Sequence, residues 1–151
     1  MSDTNFAAYE VKCAAVAALQ AEVLPSNKQA LFDALAVAGI RCVVVSFDGY
    51  GDSGQIETAD GFDAENNPVD LPPTLIEHRE VDFESATIVA GHKTPSEVIE
   101  TMVYRLLQNT HGGWQDNDGA YGEFTFDVGE WTIALDFNER FTDSTNYQHE
   151  F

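Results

Sequence analysis

Two carboxylates in a glycine-rich segment form the first candidate for a chemical site. Asp48 and Asp52 lie in segment 48–55, which reads Asp-Gly-Tyr-Gly-Asp-Ser-Gly-Gln. Carboxylate oxygens near a strand end are ligands that Mg²⁺ and Ca²⁺ accept. The calcium-loop pattern does not fit, because Ser53 stands where that loop needs glycine and Ala59 where it needs glutamate. Two other interpretations stay open, a hairpin turn whose glycines take a positive φ and a contact surface for a partner.

A second glycine-rich segment, 111–122, could add a histidine and two carboxylates to such a site. His111 could act as a general base or as a ligand together with Asp116 or Asp118. The plainer interpretation is that His111 caps a helix C-terminus, where its cationic form interacts favourably with the helix dipole. Trp114 is either a rim residue over the core or an aromatic contact for a protein partner.

The sequence has no motif for a covalent nucleophile beside these carboxylates. It lacks a Gly-x-Ser-x-Gly segment. Cys13 and Cys42 lie in apolar surroundings outside any Cys-x-x-Cys pair, which favours buried free thiols over a disulfide or a structural zinc site. The enzyme hypothesis is therefore a metal-dependent one, with a divalent cation as its cofactor. Its residues are Asp48, Asp52, His111, Asp116 and Asp118.

The strongest compositional feature is the excess of negative charge. The 151 residues include 26 Asp and Glu but only 7 Lys and Arg, a formal net charge of −19. Residues 1–47 have four acids and three bases, whereas residues 48–100 have thirteen acids and two bases. Such a field repels nucleic-acid phosphates and anionic membranes, so direct binding to either is not expected. The natural target of this surface is a basic protein.

The leading hypothesis is therefore a cofactor-free binding module that engages a basic partner surface. Duplex DNA presents about one charge per 1.7 Å of axis, and ordered carboxylates can occupy the same basic cleft. The protein could thus mimic nucleic acid and inhibit a host nuclease or defence system. The partner-binding residues expected are Asp60, Asp63, Glu65, Asp70, Glu77, Glu80, Asp82 and Glu84, with Trp114, Asp116 and Asp118.

A third hypothesis is an acidic domain from a salt-loving organism, with no special site. The presence of only three lysines, Lys12, Lys28 and Lys93, agrees with it. The balanced charge of residues 1–47 opposes it, because adaptation to salt should affect every surface.

The elements that must position these residues are those of a single domain spanning 1–151, with a peripheral N-terminal helix over 1–24. A chain of this length with 44% apolar residues can bury a sizeable core. It has no apolar run long enough to span a membrane and no signal segment at its start. A cytoplasmic protein is therefore expected.

Three helices are predicted. The first covers 6–23 and ends at Pro25, which interrupts a helix. The second begins after Ser26 as N-cap and runs to Ala38, which gives an αα-hairpin. The third begins after Thr94 as N-cap, with Pro95 at the first helical position and Glu97 in the capping-box position, and it ends near residue 109.

Strands are predicted at 40–47, 55–59 and 78–83, with a loop over 60–73. A hairpin follows from the alternation of apolar residues in 124–128 and 131–137 around a two-residue type II′ turn at Gly129-Glu130. Its register pairs Val128 with Trp131, Phe126 with Ile133, and Phe124 with Leu135. The order α-α-β-β-(β)-α-β-β predicts an α+β fold with two layers, an antiparallel sheet with helices on one face.

The glycine-rich segments also resemble an uncharacterised family of small acidic bacterial proteins. Its patterns are Asp-Gly-x-Gly-Asp-x-Gly-Gln-Ile, matched at 48–56, and His-x-Gly-Trp-x-x-Asn-x-Gly-x-x-Gly-x-Phe-x-Phe-Asp-Val, matched at 111–128. Asp136, Asn138 and Arg140 match a third part of the pattern, and the resemblance covers about residues 30–151. Members are similar to accessory proteins of plasmids, phages and related mobile elements. The resemblance implies no particular reaction.

Overall fold

Helices and antiparallel strands make up the fold, which confirms the α+β class. The computed structural model describes residues 2–50, 53–113, 119–141 and 144–151, and this part of the chain forms two helices and seven strands. The observed order is α-β-β-β-β-β-α-β-β, so the predicted order is wrong in its second helix and in the number of strands. The elements are α1 (Ser2–Val37), β1 (Cys42–Tyr50), β2 (Ser53–Phe62), β3 (Pro68–Val69), β4 (Ile76–Asp82), β5 (Thr87–Lys93), α2 (Pro95–Thr110), β6 (Ala120–Asp127) and β7 (Thr132–Glu139).

The first helix is continuous through Pro25, so the prediction of two helices separated there is wrong. A proline inside a helix removes one hydrogen bond and crowds the preceding turn, at a cost of about 3 kcal/mol. Burial on both sides of Pro25 offsets this cost, because Val23 lies in the interior before it and Leu31 and Leu35 lie there after it. Tertiary packing therefore overrides the local signal for a helix end.

The main core lies between the two helices and one face of a five-stranded sheet. The strand order of this sheet is β3-β2-β1-β6-β7. Alternate residues of β1 and β6 are buried and cluster with side chains from the C-terminal half of α1 and from α2. The largest fully buried side chains in this cluster include Phe32, Phe47, Phe124, Phe126, Leu35 and Leu107.

The second helix follows its capping prediction closely. It begins after Thr94, whose side chain accepts a hydrogen bond from the Glu97 backbone N–H at 3.3 Å. The Thr94 hydroxyl also lies 3.2 Å from a Glu97 carboxylate oxygen. The Thr94 N-cap thus fixes the start of α2 by contacts within a single turn.

A separate two-stranded sheet, β4 and β5, packs beside α1. The predicted strand at 78–83 corresponds to β4, whereas β5 was not predicted and the 60–73 loop contains the end of β2 and the short β3. Six of the seven residues of β5 are exposed, so its sequence shows no alternation between a buried and a solvated face. Pairing with β4 along its whole length, rather than burial, makes it a strand.

The β6–β7 hairpin has the predicted register but a different turn. Phe126 pairs with Ile133 and Phe124 with Leu135, as predicted. The last pair is Asp127 with Thr132, so the turn has four residues, 128–131, and the predicted two-residue turn is wrong. The Asp127 carboxylate accepts a hydrogen bond from the Glu130 N–H at 3.0 Å, and Trp131, at φ 58°, packs on Phe32 with ring centroids 5.4 Å apart. This packing and the aspartate hydrogen bond favour the wider turn.

The β4–β5 hairpin has a similar turn and yields a stability prediction. The Asp82 carboxylate accepts a hydrogen bond from the Glu84 N–H at 3.0 Å, and Ala86 has φ 52°. Because a left-handed φ is costly for alanine and free for glycine, we expect Ala86→Gly to raise the free energy of unfolding by about 0.5–1 kcal/mol. Urea denaturation measures this change. Ala90→Gly, in the middle of β5, is the control and should destabilise; a loss of stability in Ala86→Gly would contradict the prediction.

Candidate functional site

The helix-free face of the five-stranded sheet is the candidate site, and we call it the sheet face. The buried residues of β1 (Val43, Val45 and Phe47) point to the core, so the intervening residues point to the opposite side. The same alternation holds in β6, where even-numbered residues 120–128 are buried and the odd-numbered ones are not. No helix among the described residues packs on this opposite side.

The sheet face is rich in carboxylates and hydroxyls. The cross-strand register places Glu123 of β6 directly opposite Asp136 of β7. Asp60 of β2 lies opposite Val44 of β1, which in turn lies opposite Thr125 of β6. In the neighbouring row, the hydroxyls of Ser46 and Thr58 hydrogen-bond at 2.6 Å. The carboxylates of this face are Asp48, Asp60, Glu123, Asp127 and Asp136.

Three of these carboxylates have no cationic neighbour. Within the part of the chain that the structure describes, Asp60, Glu123 and Asp136 form no ion pair. Like charges directly opposite each other on neighbouring strands destabilise a sheet, so the Glu123–Asp136 pair opposes folding to a small extent. The negative charge of these three carboxylates is therefore not compensated by an ion pair within the described residues.

The flanks of the two glycine-rich segments meet at one end of this face. Gly49 at the end of β1 pairs with Ala120 at the start of β6, and Asp48 pairs with Tyr121. The Arg140 backbone N–H donates to the Gly119 carbonyl at 2.9 Å, which brings the end of β7 to the same place. The antiparallel order of β1 and β6 brings these segments together, although about 60 residues separate them in sequence.

Asp48 forms an ion pair at this end of the sheet. An Arg140 guanidinium nitrogen donates to the Asp48 carboxylate at 2.8 Å and to the Gly49 carbonyl at 3.0 Å. The guanidinium also lies 4.7 Å from the centre of the Tyr121 ring. The other carboxylates of the metal hypothesis, Asp52, Asp116 and Asp118, and the proposed contact Trp114, lie outside the described residues.

His111 occupies the C-cap of α2. Its backbone N–H donates to the Leu107 carbonyl at 2.7 Å, and its ring stacks on Phe137 with centroids 3.7 Å apart. Among the residues that can be placed, no group of three or more His, Cys, Asp or Glu side chains is arranged to hold a metal ion. The metal-dependent enzyme stays a prediction.

The predicted partner-binding carboxylates fall into two groups. Asp60, Asp63, Glu65 and Asp70 lie on or around β2 and β3, whereas Glu77, Glu80, Asp82 and Glu84 lie on the β4–β5 hairpin. The two groups are on different sheets. The structure places Glu123 and Asp136 on the same sheet face as Asp60, an arrangement that sequence reasoning missed. The alternation of β6 and β7, which predicts a solvated side for both residues, was the signal that could have revealed it.

Several of these carboxylates already have local partners. Asp63 accepts hydrogen bonds from the backbone N–H groups of Asn67 and Glu65, both at 2.9 Å, and the bond from Asn67 contributes most to lowering the pKa of Asp63. Glu80 accepts a hydrogen bond from Lys93 at 2.5 Å, which is the main reason why the pKa of Glu80 is lowered. Glu77 pairs with the Arg79 guanidinium at 3.1 Å. These contacts stabilise turns and strands locally.

One protein-family model matches most of the chain. A model described as a family of unknown function (DUF6878) matches residues 23–151. The chain belongs to this family. No curated protein and no solved structure matches the chain.

The DUF6878 range contains every strand that the structure describes and the whole of α2. It begins within α1 at Val23, which is buried, and leaves residues 1–22 outside. Most of residues 7–22 are exposed, in keeping with a helix segment at the edge of the fold. No helix in the described ranges has both the length and the apolar character needed to cross a membrane.

Proposed function

We propose that this DUF6878 protein is an acidic binding module that docks onto a basic protein surface through its sheet face. The observation that carries the proposal is a set of three carboxylates in two adjacent cross-strand rows, Asp60 in one and Glu123 with Asp136 in the other, on a face that no helix of the described residues covers. The sharper form of the proposal is that the partner binds nucleic acid, so that the module occupies a phosphate-binding cleft and inhibits a nuclease or another defence protein.

The geometry supports recognition of a broad surface rather than of a small ligand. Asp60 lies on β2 and Asp136 on β7, three strand spacings apart in the order β2-β1-β6-β7. With about 4.8 Å between neighbouring strands, the two residues are about 14 Å apart in the direction across the strands. A flat array of this width can contact several Lys or Arg side chains at once, as a protein interface requires.

Electrostatics also supports a cationic partner. The repulsion between Glu123 and Asp136 is relieved when a Lys or Arg side chain comes between them, so part of the binding energy comes from removing an unfavourable contact. The net charge of −19 steers a basic partner towards the protein, and salt screens that attraction. Association should therefore slow as ionic strength rises.

The decisive experiment compares two triple variants that change the net charge equally. Asp60→Asn, Glu123→Gln and Asp136→Asn neutralise the sheet face, whereas the control neutralises three exposed glutamates elsewhere, Glu10, Glu22 and Glu150. Each protein competes with a fluorescent DNA duplex for a panel of purified basic nucleases and DNA-binding proteins at low and physiological salt. We expect the wild type and the control to displace DNA, and the sheet-face variant to be at least tenfold weaker, about 1.4 kcal/mol.

The outcomes distinguish binding through the sheet face from attraction by the net charge alone. Equal loss in both variants would mean that net charge alone attracts the partner and would reject the sheet face. Failure of the wild type to displace DNA from every protein tested would reject the nucleic-acid mimic. Unfolding of the wild type at low salt would instead support the acidic domain of a salt-loving organism.

A further inference from the structure

A cavity of about 360 Å³ opens between α1, α2 and β4, well away from the sheet face. This volume lies within the range of small-molecule sites, about 300–1,000 Å³. The lining is mixed: apolar side chains from both helices form the walls, and a few polar groups converge between them. The polar lining residues are Gln20, Asn27, His78, Thr101, Arg105 and Asn109.

His78 is the first sign that the cavity is built for a ligand. Its side chain is 3% exposed, and neither ring nitrogen has a hydrogen-bond partner among the described residues. A Glu80 carboxylate oxygen lies 3.5 Å from Nε2 and is already hydrogen-bonded to Lys93. Buried polar groups in native proteins are nearly always hydrogen-bonded, so the imidazole lacks a partner that a bound molecule could supply.

Arg105 is the second sign. This half-buried residue of α2 lines the same cavity and forms no hydrogen bond or ion pair with the residues that the structure describes. The lining contains no Asp or Glu, although the chain has 26 of them. An unpaired guanidinium beside a cavity without carboxylates favours binding of an anion, because its N–H groups form bidentate hydrogen bonds with a carboxylate.

We propose that this cavity binds a small organic anion, a carboxylic acid with a compact apolar body. Its carboxylate pairs with the Arg105 guanidinium, and the imidazole of His78 forms a hydrogen bond with a polar atom of the ligand. The apolar body lies against Leu24, Met102 and Leu106. The site is independent of the sheet face and of the function proposed for it.

Because His78 can be protonated, ligand binding at this site should depend on pH. Burial is the main reason why the pKa of His78 is lowered; Lys93 and Arg105 lower it further, and Glu80 raises it. Those three are the charged groups that act on the imidazole, and the polar residues that α1 contributes to the lining, Gln20 and Asn27, are both neutral. A bound carboxylate favours the protonated imidazole, so binding should raise the pKa of His78 and become tighter as the pH falls from 7.5 to 6.0.

Calorimetry and NMR on the full chain test the proposal with defined probes. The probes are benzoate, phenylacetate and hexanoate, each paired with its neutral amide. We expect at least one acid to bind with a Kd of about 1 mM or tighter and at least tenfold more tightly than its amide. Arg105→Gln should weaken binding at least tenfold, whereas Arg79→Gln, an exposed arginine outside the cavity, should leave it unchanged. Imidazole nitrogen shifts should report the raised pKa of His78.

Three results would overturn the proposal: no binding of any acid at millimolar concentration, equal binding of acids and amides, or full binding by Arg105→Gln. Urea denaturation of each variant verifies its folding, and His78→Gln serves as a second variant that removes the imidazole but retains a polar side chain. The sheet-face triple variant should bind the acids like the wild type. Failure of the acids to bind therefore leaves the proposed partner binding unaffected. Failure of the sheet face to bind a basic partner likewise leaves the proposed acid binding unaffected.

Discussion

Asn27→Ala is expected to lower the free energy of unfolding by about 2–4 kcal/mol, because a backbone N–H and a backbone C=O of β4, in part-buried hydrogen bonds, lose their partner together. Asn27 is 4% exposed within α1. Its side-chain amide donates to the Arg79 carbonyl and its side-chain oxygen accepts from the Arg79 N–H, both at 2.8 Å. This pair of bonds imitates the contact of a neighbouring strand and fastens the helix to the two-stranded sheet.

Urea denaturation at pH 7 measures the effect, and Gln29→Ala is the matched control. Gln29 also hydrogen-bonds through its amide, but only with the exposed Asp33 side chain, so its loss should change stability by less than about 0.5 kcal/mol. Asn27→Asp keeps the volume and the acceptor but loses the donor. It should be nearly as destabilising at pH 7 and less so at pH 4, where the protonated carboxyl can donate again. Equal stability of Asn27→Ala and the wild type would refute this role.

Gly122→Ala is expected to destabilise the five-stranded sheet by about 3 kcal/mol, at the upper end of what overpacking costs. A Cβ atom at this position would lie 2.0 Å from the Asp136 carbonyl oxygen and 3.0 Å from Cζ of Phe47. The first of these atoms belongs to the backbone of β7, and the second is part of a buried ring. Because neither can move freely, β6 and β7 must separate locally.

The control for this prediction is Gly91→Ala in β5. A Cβ atom there would meet nothing closer than the His78 carbonyl oxygen at 4.0 Å, so the change should be neutral or slightly stabilising. Thermal and urea unfolding of both variants, with NMR spectra of the β6–β7 hairpin, give the comparison. The same loss of stability in both would show that strand glycines, rather than the close approach at Gly122, determine the effect.

The elements that were predicted correctly depend on contacts between residues close in sequence. The start of α2 follows from Thr94 and Glu97, three residues apart, because the Thr94 side chain accepts a hydrogen bond from the Glu97 backbone N–H. The register of β6 and β7 follows from alternating apolar residues on both sides of a short turn. In both cases one segment contains all the groups that decide its conformation, so the residue pattern is sufficient.

Only part of the sheet face could be predicted from the sequence. The alternation in β6 and β7 predicts that Glu123 and Asp136 face water, and it predicts their side of the hairpin. The alternation in this hairpin contains no information on Asp60, which lies on β2. Asp60 reaches the same face because β2 pairs with one edge of β1 and β6 pairs with the other, and β1 and β6 are far apart in sequence. The anionic character of the chain was therefore evident, but the placement of Asp60, Glu123 and Asp136 on the same uncovered face was not.

The sequence by itself determined the α+β class, the capped helix, the hairpin register and the negative charge, since each depends on composition or on neighbours along the chain. Only the tertiary structure decided the passage of α1 through Pro25, the Arg140–Asp48 ion pair, the enclosure of His78 and the hydrogen bonds between Asn27 and Arg79. Each of these depends on groups far apart in sequence, such as Asn27 and Arg79, which are 52 residues apart. Burial and hydrogen bonding between distant segments override local preferences, because the free energy they contribute exceeds the modest cost of an unfavourable residue in a helix or strand.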